Sequence, residues 1–386
     1  MNDLHPRYIF FTNIPTPYRT SFYNLLATNR DFDFAVYYMR IIEADRSWAV
    51  DLASLKHRYI IDNSGLYHMF GRYHLHINPV LIIKMVLTPR NTEIIIGGAW
   101  NDINVLILVA LKRLGFFRKR LHFWSEANYL TLGASNDNIL KKVIRKFVYH
   151  STTGAQLSSG HMTEITMNKW NIRVNKFIPL PNTIEDDAFN FREDFKIIRA
   201  ENNLPIFLIP ARIHEIVKGI KNFFIGIGDN NLRRCQFIVA GDGPDLPDLA
   251  NFISANKLFD HIFLTGYCTT SRLAELYSKA NVFVLGSFTD ASPLTVVEAL
   301  KMKLPLLISE RCGNHFEAVD VGANGYLFDP YNHSTIKHAF EAMLDRKSKW
   351  NDMGDISGIM YKKNFNKSKV VTNFVKEFNS YCSDFV

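Results

Sequence analysis

Residues 290–298 read DASPLTVVE, an apolar run fenced by two carboxylates, Asp290 and Glu298. NVFVLGSFT (281–289) precedes it, a burst rich in β-branched and aromatic residues that reads as a buried strand. ALKMKLPLLIS (299–309) follows, the end of a helix and then another buried strand. The spacing predicts a strand-to-helix corner with Ser292 as N-cap, Pro293 as the first helical residue and a helix to Met302. Asp290 then lies in the loop before the helix, and Glu298 lies more than one turn into it. Both carboxylates and the backbone amides of residues 293–295 face one crevice at the carboxyl end of a parallel sheet, where open α/β folds hold ligands.

The same rhythm extends outward. RYIFFTN (7–13), FDFAVYYM (32–39), HRYIID (57–62), TEIIIGG (92–98) and RLHFWSE (120–126) read as strands of a first half, with a helix over 101–114. PIFLIPAR (205–212), CQFIVAGDGP (235–244), HIFLTG (261–266), NVFVLGS (281–287) and LPLLISE (304–310) repeat the pattern. Strands alternating with helices predict an α/β chain of two Rossmann-like, doubly wound parallel-sheet domains facing each other across a cleft. The linker is expected in PLPNTIEDDAFNF (179–191), dividing domains at 1–182 and 183–364, with the terminal helix 365–386 free to pack back on the first.

A chain of 386 residues, 47% hydrophobic, has material for two cores. No window approaches the uninterrupted apolar length of a membrane span, and the N-terminal apolar run lacks a cleavage pattern, so a cytoplasmic protein is expected. Cys235, Cys268, Cys312 and Cys382 are scattered and read as reduced thiols, with neither a disulfide framework nor a zinc site. Residues 1–185 hold 22 lysines and arginines against 13 acids, while the remainder hold 23 against 24. A basic first half calls for an anionic partner; nucleic acid is set aside because no binding motif accompanies the charge.

Over residues 205–330 the chain resembles the GT-B glycosyltransferases, and within them the large retaining family 4 (glycosyl transferases group 1). The resemblance is carried by ARIHEIVKGIKNFFIGI (211–227), FIVAGDGPDLPDLA (237–250), the run from FLTGYC through PLLIS (263–309) and GANGYLF (322–328). The family's paired acids, two glutamates with seven residues between, fall on Asp290 and Glu298. By this resemblance Glu298 takes the ribose hydroxyls of a nucleotide sugar, Asp290 the hydroxyls of its sugar, and the backbone of Pro293, Leu294 and Thr295 sugar or phosphate oxygens. Asp in place of Glu is a departure that bears on which sugar is carried. Arg212 and Lys218 match the pair that holds the donor diphosphate, whose developing charge needs preorganised donors. Gly266 and Tyr267 fall where the base would lie, although Tyr267 also suits core packing. GDGP (241–244) lacks the spacing of a phosphate loop and reads as a tight turn.

The first half resembles the family less. TNIPTPYR (12–19) sits at the family's first loop without its paired glycines, and Arg19 either reaches donor or acceptor or is simply exposed. Glu126, in HFWSEAN (122–128), falls where relatives carry a histidine facing the reacting carbon, which suggests a base for the acceptor hydroxyl or a sugar ligand. His122 is expected to point into the domain. Asp31-Phe32-Asp33 imitates a D-x-D metal motif but reads as loop polarity, and His74 and His76 have no carboxylate or cysteine near them in sequence. Lys141, Lys142, Arg145 and Lys146 are expected on one helical side opposite Ile139, Val143 and Phe147. Arg113, Arg118, Lys119 and Arg120 add charge around Phe116 and Phe117. This pattern suits an anionic membrane surface or, alternatively, a solvated face over buried phenylalanines.

The resemblance thus implies a hexosyltransferase needing neither metal nor cofactor, using a UDP- or GDP-type sugar donor and a lipid-linked or glycan acceptor at the inner face of the membrane. Two alternatives stand beside it: a catalytically silent scaffold of a glycan-assembly complex, and a sugar-nucleotide epimerase or hydrolase.

Overall fold

A computed structural model of the chain describes residues 6–44, 51–70, 73–131, 138–152, 154–185 and 187–384. Two compact units divide it. The first runs to Ala127, resumes over Asn136–Thr183 and ends with the chain's last helix; the second is Ile184–Asn366 with a short stretch that begins at Asn128.

The first unit carries strands β1 (Tyr8–Thr12), β2 (Phe34–Tyr38), β3 (Tyr59–Ile61), β4 (Leu66–Phe70), β5 (Tyr73–Ile77), β6 (Glu93–Ile96), β7 (Leu121–Ser125), β8 (Gln156–Ser158) and β9 (Phe177–Pro179). Seven of them form one parallel sheet in the order β3-β2-β1-β6-β7-β8-β9, and β4 with β5 makes a separate antiparallel hairpin. Successive residues of a strand point to opposite faces. Tyr8 and Phe10 therefore enter one core and Ile9 and Phe11 the other, which is why β1 reads as an unbroken apolar run. One core lies under the helices Pro79–Leu87, Ile103–Arg113 and Ile139–Ser151; the other lies under Pro17–Leu26 and the final helix, Lys367–Ser383. That last helix repeats Val370, Val371, Phe374, Val375, Phe378 and Tyr381 on one side, and all are buried against Tyr8, Phe10, Phe32 and Trp124. Its Asn379 accepts a 2.6 Å hydrogen bond from the Tyr8 hydroxyl.

The second unit holds β10 (Ile206–Pro210), β11 (Gln236–Ala240), β12 (Ile262–Gly266), β13 (Val282–Leu285), β14 (Leu306–Ser309) and β15 (Gly325–Phe328) in the parallel order β12-β11-β10-β13-β14-β15. Strand order reverses between β1 and β6 in one sheet and between β10 and β13 in the other, and at such reversals neighbouring loops part and leave a crevice. The hairpin, β8, β9 and β15 are absent from the sequence expectation. β8 and β9 have only three residues each, and in the hairpin histidines interrupt the apolar residues, so neither of its strands forms an apolar run.

Candidate active site

In the second unit the crevice lies beyond β10 and β13. The loop after β11 braces the loop after β10: a Cβ on Gly241 would stand 2.1 Å from the Ala211 carbonyl oxygen, and one on Gly243 2.2 Å from that of Ile213. GDGP is thus a close backbone crossing, as its turn-like composition suggests, and it fixes the segment that carries Arg212. The Arg212 guanidinium is exposed, with no hydrogen bond or ion pair among the described residues.

Lys218 ends a one-turn helix, Glu215–Lys218, closed by Gly219 at φ +57°. A Cβ on Gly219 would lie 2.8 Å from the Gly286 carbonyl oxygen. Only glycine allows both this left-handed turn and this approach, and together they bring Lys218 onto the loop after β13, where its Nζ pairs with Asp290 Oδ2. Burial works against the ammonium charge, but the Asp290 carboxylate outweighs it and raises the Lys218 pKa.

The corner that follows starts one residue later than expected. Pro293 takes an extended conformation as N-cap, and the helix is Leu294–Lys301. Proline has no N–H, so the unpaired amides belong to Leu294, Thr295 and Val296 and not to residues 293–295. No side chain caps this helix start, which leaves an anion-binding terminus at the crevice. Glu298 is half-buried and accepts a 2.9 Å hydrogen bond from the Tyr277 hydroxyl, which also reaches the Thr295 carbonyl at 3.1 Å. Burial pushes the Glu298 carboxyl up to about 7, against the hydrogen bond from Tyr277. Gly266 takes φ +68°, and Tyr267 is 73% exposed, which rules out the core-packing reading of that ring.

Sequence reasoning missed the supports. Asp290 forms a bridge with Cys312, and its carbonyl accepts from Gly313 N at 2.9 Å and Asn128 Nδ2 at 3.3 Å. Asn314 Nδ2 donates to the Pro293 carbonyl at 3.0 Å. The available signal was RCGN (311–314), a glycine–asparagine turn just after a buried strand; Tyr277 carried none, since a helical tyrosine reads as core.

In the first unit, Arg19 is buried and not exposed. Its Nη1 donates to the Gly97 carbonyl at 2.8 Å, its Nη2 meets Glu126 Oε1 at 3.2 Å, and its guanidinium lies 4.2 Å over the Trp124 ring. Asn182 also donates to Glu126 Oε1 at 2.9 Å, so Oε2 is the oxygen left to receive a proton or a hydroxyl. These groups sit at the carboxyl ends of β1, β6 and β7, the switch point of the first sheet.

His122 is fully buried: its Nδ1 accepts from Ala155 N at 2.9 Å, so Nε2 carries the proton and donates to Glu93 at 3.0 Å. Burial would raise the Glu93 carboxyl, but hydrogen bonds from His122 and Arg120 outweigh it and hold it low. Cys382 completes a trio with Glu93 and His122 within 4.8 Å. A cation there would have to displace the Nε2 proton beside the Arg120 guanidinium, and this donor set does not fit one. Asp33 is taken up by Arg58 and the Arg7 amide at the amino end of β2. His76 has carboxylates in space that the sequence did not reveal: Glu43 lies 3.5 Å from Nε2 and Asp102 3.9 Å from Nδ1.

The basic helix departs from the expected division: Lys142 and Lys146 are exposed, but on the same face as the apolar residues they were expected to oppose. Arg145 is buried with its guanidinium 3.8 Å from the centre of the Trp170 ring, while Ile139, Leu140, Val143 and Phe147 are exposed, Ile139 by 81%. Lys119 and Arg120 also turn inward, to the Val86 carbonyl and to Glu93. Phe117 is buried, but Phe116 is 72% exposed.

Residues 190–357 match the family described as glycosyl transferases group 1, a stretch that holds every site residue of the second unit except Asn128. The chain is 30% identical over 144 residues to an alpha-D-kanosaminyltransferase of Streptomyces kanamyceticus, covering 36% of each chain. It is 36% identical over 104 residues to an alpha-monoglucosyldiacylglycerol synthase of Acholeplasma laidlawii, covering 27% of this chain and 25% of that one. The match thus spans about a third or less of these curated relatives. Among solved structures, Anabaena Alr3699/HepE in complex with UDP and glucose superposes with a TM-score of 0.72 at 13% identity, over 97% of this chain and 100% of that one. The lipopolysaccharide outer core galactosyltransferase WaaB, apo form, gives 0.68 at 14% identity over 98% and 99%. Likeness at such low identity establishes the fold: the chain has the two-domain α/β GT-B architecture.

Proposed function

We propose that the chain is a glycosyltransferase that moves a sugar from a nucleoside diphosphate donor to a lipid-linked or growing glycan acceptor, with retention at the anomeric carbon and without a metal. The observation that carries this reading is the convergence, at the β10/β13 switch point, of Arg212, Lys218, an uncapped helix start and the Asp290–Glu298 pair. Glu298 would take the ribose hydroxyls. Arg212, Lys218 and the amides of Leu294–Val296 would meet the charge that develops on the departing diphosphate, the work a metal ion does elsewhere. Retention then needs no enzyme nucleophile: the acceptor attacks on the face from which the diphosphate leaves, and the diphosphate takes the acceptor's proton. The first unit would hold the acceptor, with Arg19 anchoring Glu126.

The experiment is nucleotide binding to the wild type and to Glu298→Gln with UDP, GDP, ADP and CMP at pH 6 and pH 8. Ribose hydroxyls donate to the ionised carboxylate, whose empty-site pKa is about 7. Wild-type affinity should therefore rise about tenfold from pH 6 to pH 8 beyond the slope of the Gln variant, which reports the phosphate alone. In the empty protein the sign is opposite: a raised carboxyl pKa costs stability as the pH rises from the ordinary carboxylate range through about 7. If no nucleotide binds at either pH, a scaffold role replaces the enzyme.

The exposed apolar residues of Ile139–Ser151, flanked by Lys142 and Lys146, support peripheral contact with an anionic membrane on its cytoplasmic face. No described helix is long and apolar enough to cross a membrane. Leu140→Ser with Val143→Ser should lower binding to phosphatidylglycerol vesicles by about tenfold or more, from the apolar area each side chain would lose. Sedimentation equal to wild type would refute that contact.

A further inference from the structure

Asp290 stands between two partners. In the empty site its carboxylate is held by Lys218, and both side chains are largely shielded from water, at 15% and 20% exposure. Their backbones have little freedom to part. Asp290 is bridged to Cys312, with its carbonyl bonded to Gly313 and Asn128, and Lys218 is fixed by the left-handed turn at Gly219 packed on Gly286. Any exchange of partners must therefore occur through side-chain torsions, and the long lysine stem is the part that can move. Diphosphate binding requires the same ammonium that Asp290 holds.

We propose that the Lys218–Asp290 pair is an exchange device that tells the sugar-bearing donor from the spent nucleoside diphosphate. It rests on the glycosyltransferase reading above. When the diphosphate draws Lys218 away, Asp290 is left as an unpaired, poorly hydrated carboxylate beside two phosphates. A donor compensates, because its sugar hydroxyls donate to the freed carboxylate. A bare nucleoside diphosphate brings no such donor and must break the pair without return, so the site favours loaded donor and sheds product. Neither Arg212, which has no partner to surrender, nor Glu298, which is bonded to Tyr277, offers this discrimination.

The test is calorimetric titration of the full chain with UDP, GDP and ADP, and with the glucose ester of whichever binds, for wild type, Asp290→Asn, Lys218→Ala and the double variant. Asp290→Asn should bind the bare diphosphate about tenfold more tightly than wild type, the worth of one charge-assisted bond no longer broken. It should bind the glucose ester no more tightly. In the Lys218→Ala background the same substitution should gain nothing, since the two effects act through one contact. An Asp290→Asn variant that gains no affinity for the bare diphosphate overturns the proposal. So does a gain that persists undiminished without Lys218, which would mark a simple field effect of removing one negative charge. If wild type binds a nucleotide and Glu298→Gln weakens it while these results fail, only the exchange falls; if nothing binds to any variant, the enzyme reading falls with it. Asp290→Ser, which keeps the backbone bridge to Cys312, serves if the Asn variant does not fold.

Discussion

Replacing Lys218 with alanine should lower turnover by about a hundred- to a thousandfold, the usual loss when one preorganised donor to a developing charge is removed. The expectation rests on placement. A glycine turn that tolerates no Cβ holds the Lys218 backbone at the switch point, so the ammonium has only to swing from Asp290 to a bound diphosphate before the leaving group develops charge. Lys218→Arg restores the charge with a different shape and should recover only part of the rate. The loss should appear in kcat as well as in kcat/KM, measured with donor and acceptor at a temperature where circular dichroism shows both proteins folded. A variant within about threefold of wild type would remove Lys218 from the leaving-group clamp.

The second large effect is on stability. Phe374→Ala should destabilise the first unit by about 3–5 kcal/mol, since it opens a cavity in a packed aromatic core. Phe374 is fully buried, with Phe32 at 5.3 Å, Phe378 at 5.2 Å and Phe10 at 6.4 Å between ring centroids. The loss is read by urea unfolding followed through Trp124, which lies in the same core and reports that unit. Nucleotide binding, proposed for the second unit, should survive at temperatures where the first has loosened. An unchanged unfolding midpoint would mean that the last helix adds little to that core.

What was legible in the sequence followed physical signal strength. Most of the ten strands read from the sequence are buried and apolar on both faces, the edge strands β3 and β12 excepted, and their alternation with helices made the doubly wound architecture readable. The Asp290–Glu298 corner was readable because a strand, a proline and a helix follow within a dozen residues; its N-cap was misplaced by one because Pro293 suits the first helical position but here takes the extended N-cap conformation. Contacts between residues distant in sequence left no such trace. Nothing local shows that Arg19 lies under Glu126, that Asn128 ties down the Asp290 carbonyl, or that Glu43 and Asp102 flank His76. The basic helix misled for a related reason. At about 100° per residue Lys142 and Lys146 lie beside Ile139 and Val143 and not opposite them, and Arg145 found in Trp170 a buried partner that no spacing rule foresees.

The last helix also sets an order of events during synthesis. The second unit is contiguous from Ile184 to Asn366 apart from the short stretch at Asn128, so nearly all of it has left the ribosome before the first unit can close its core with Lys367–Ser383. The usual vectorial order, in which the N-terminal domain folds first, is reversed here. Until that helix emerges, the first unit lacks the cover over one aromatic face of its sheet, and a nascent chain stalled before Lys367 would hold a complete second unit beside an unfinished first one.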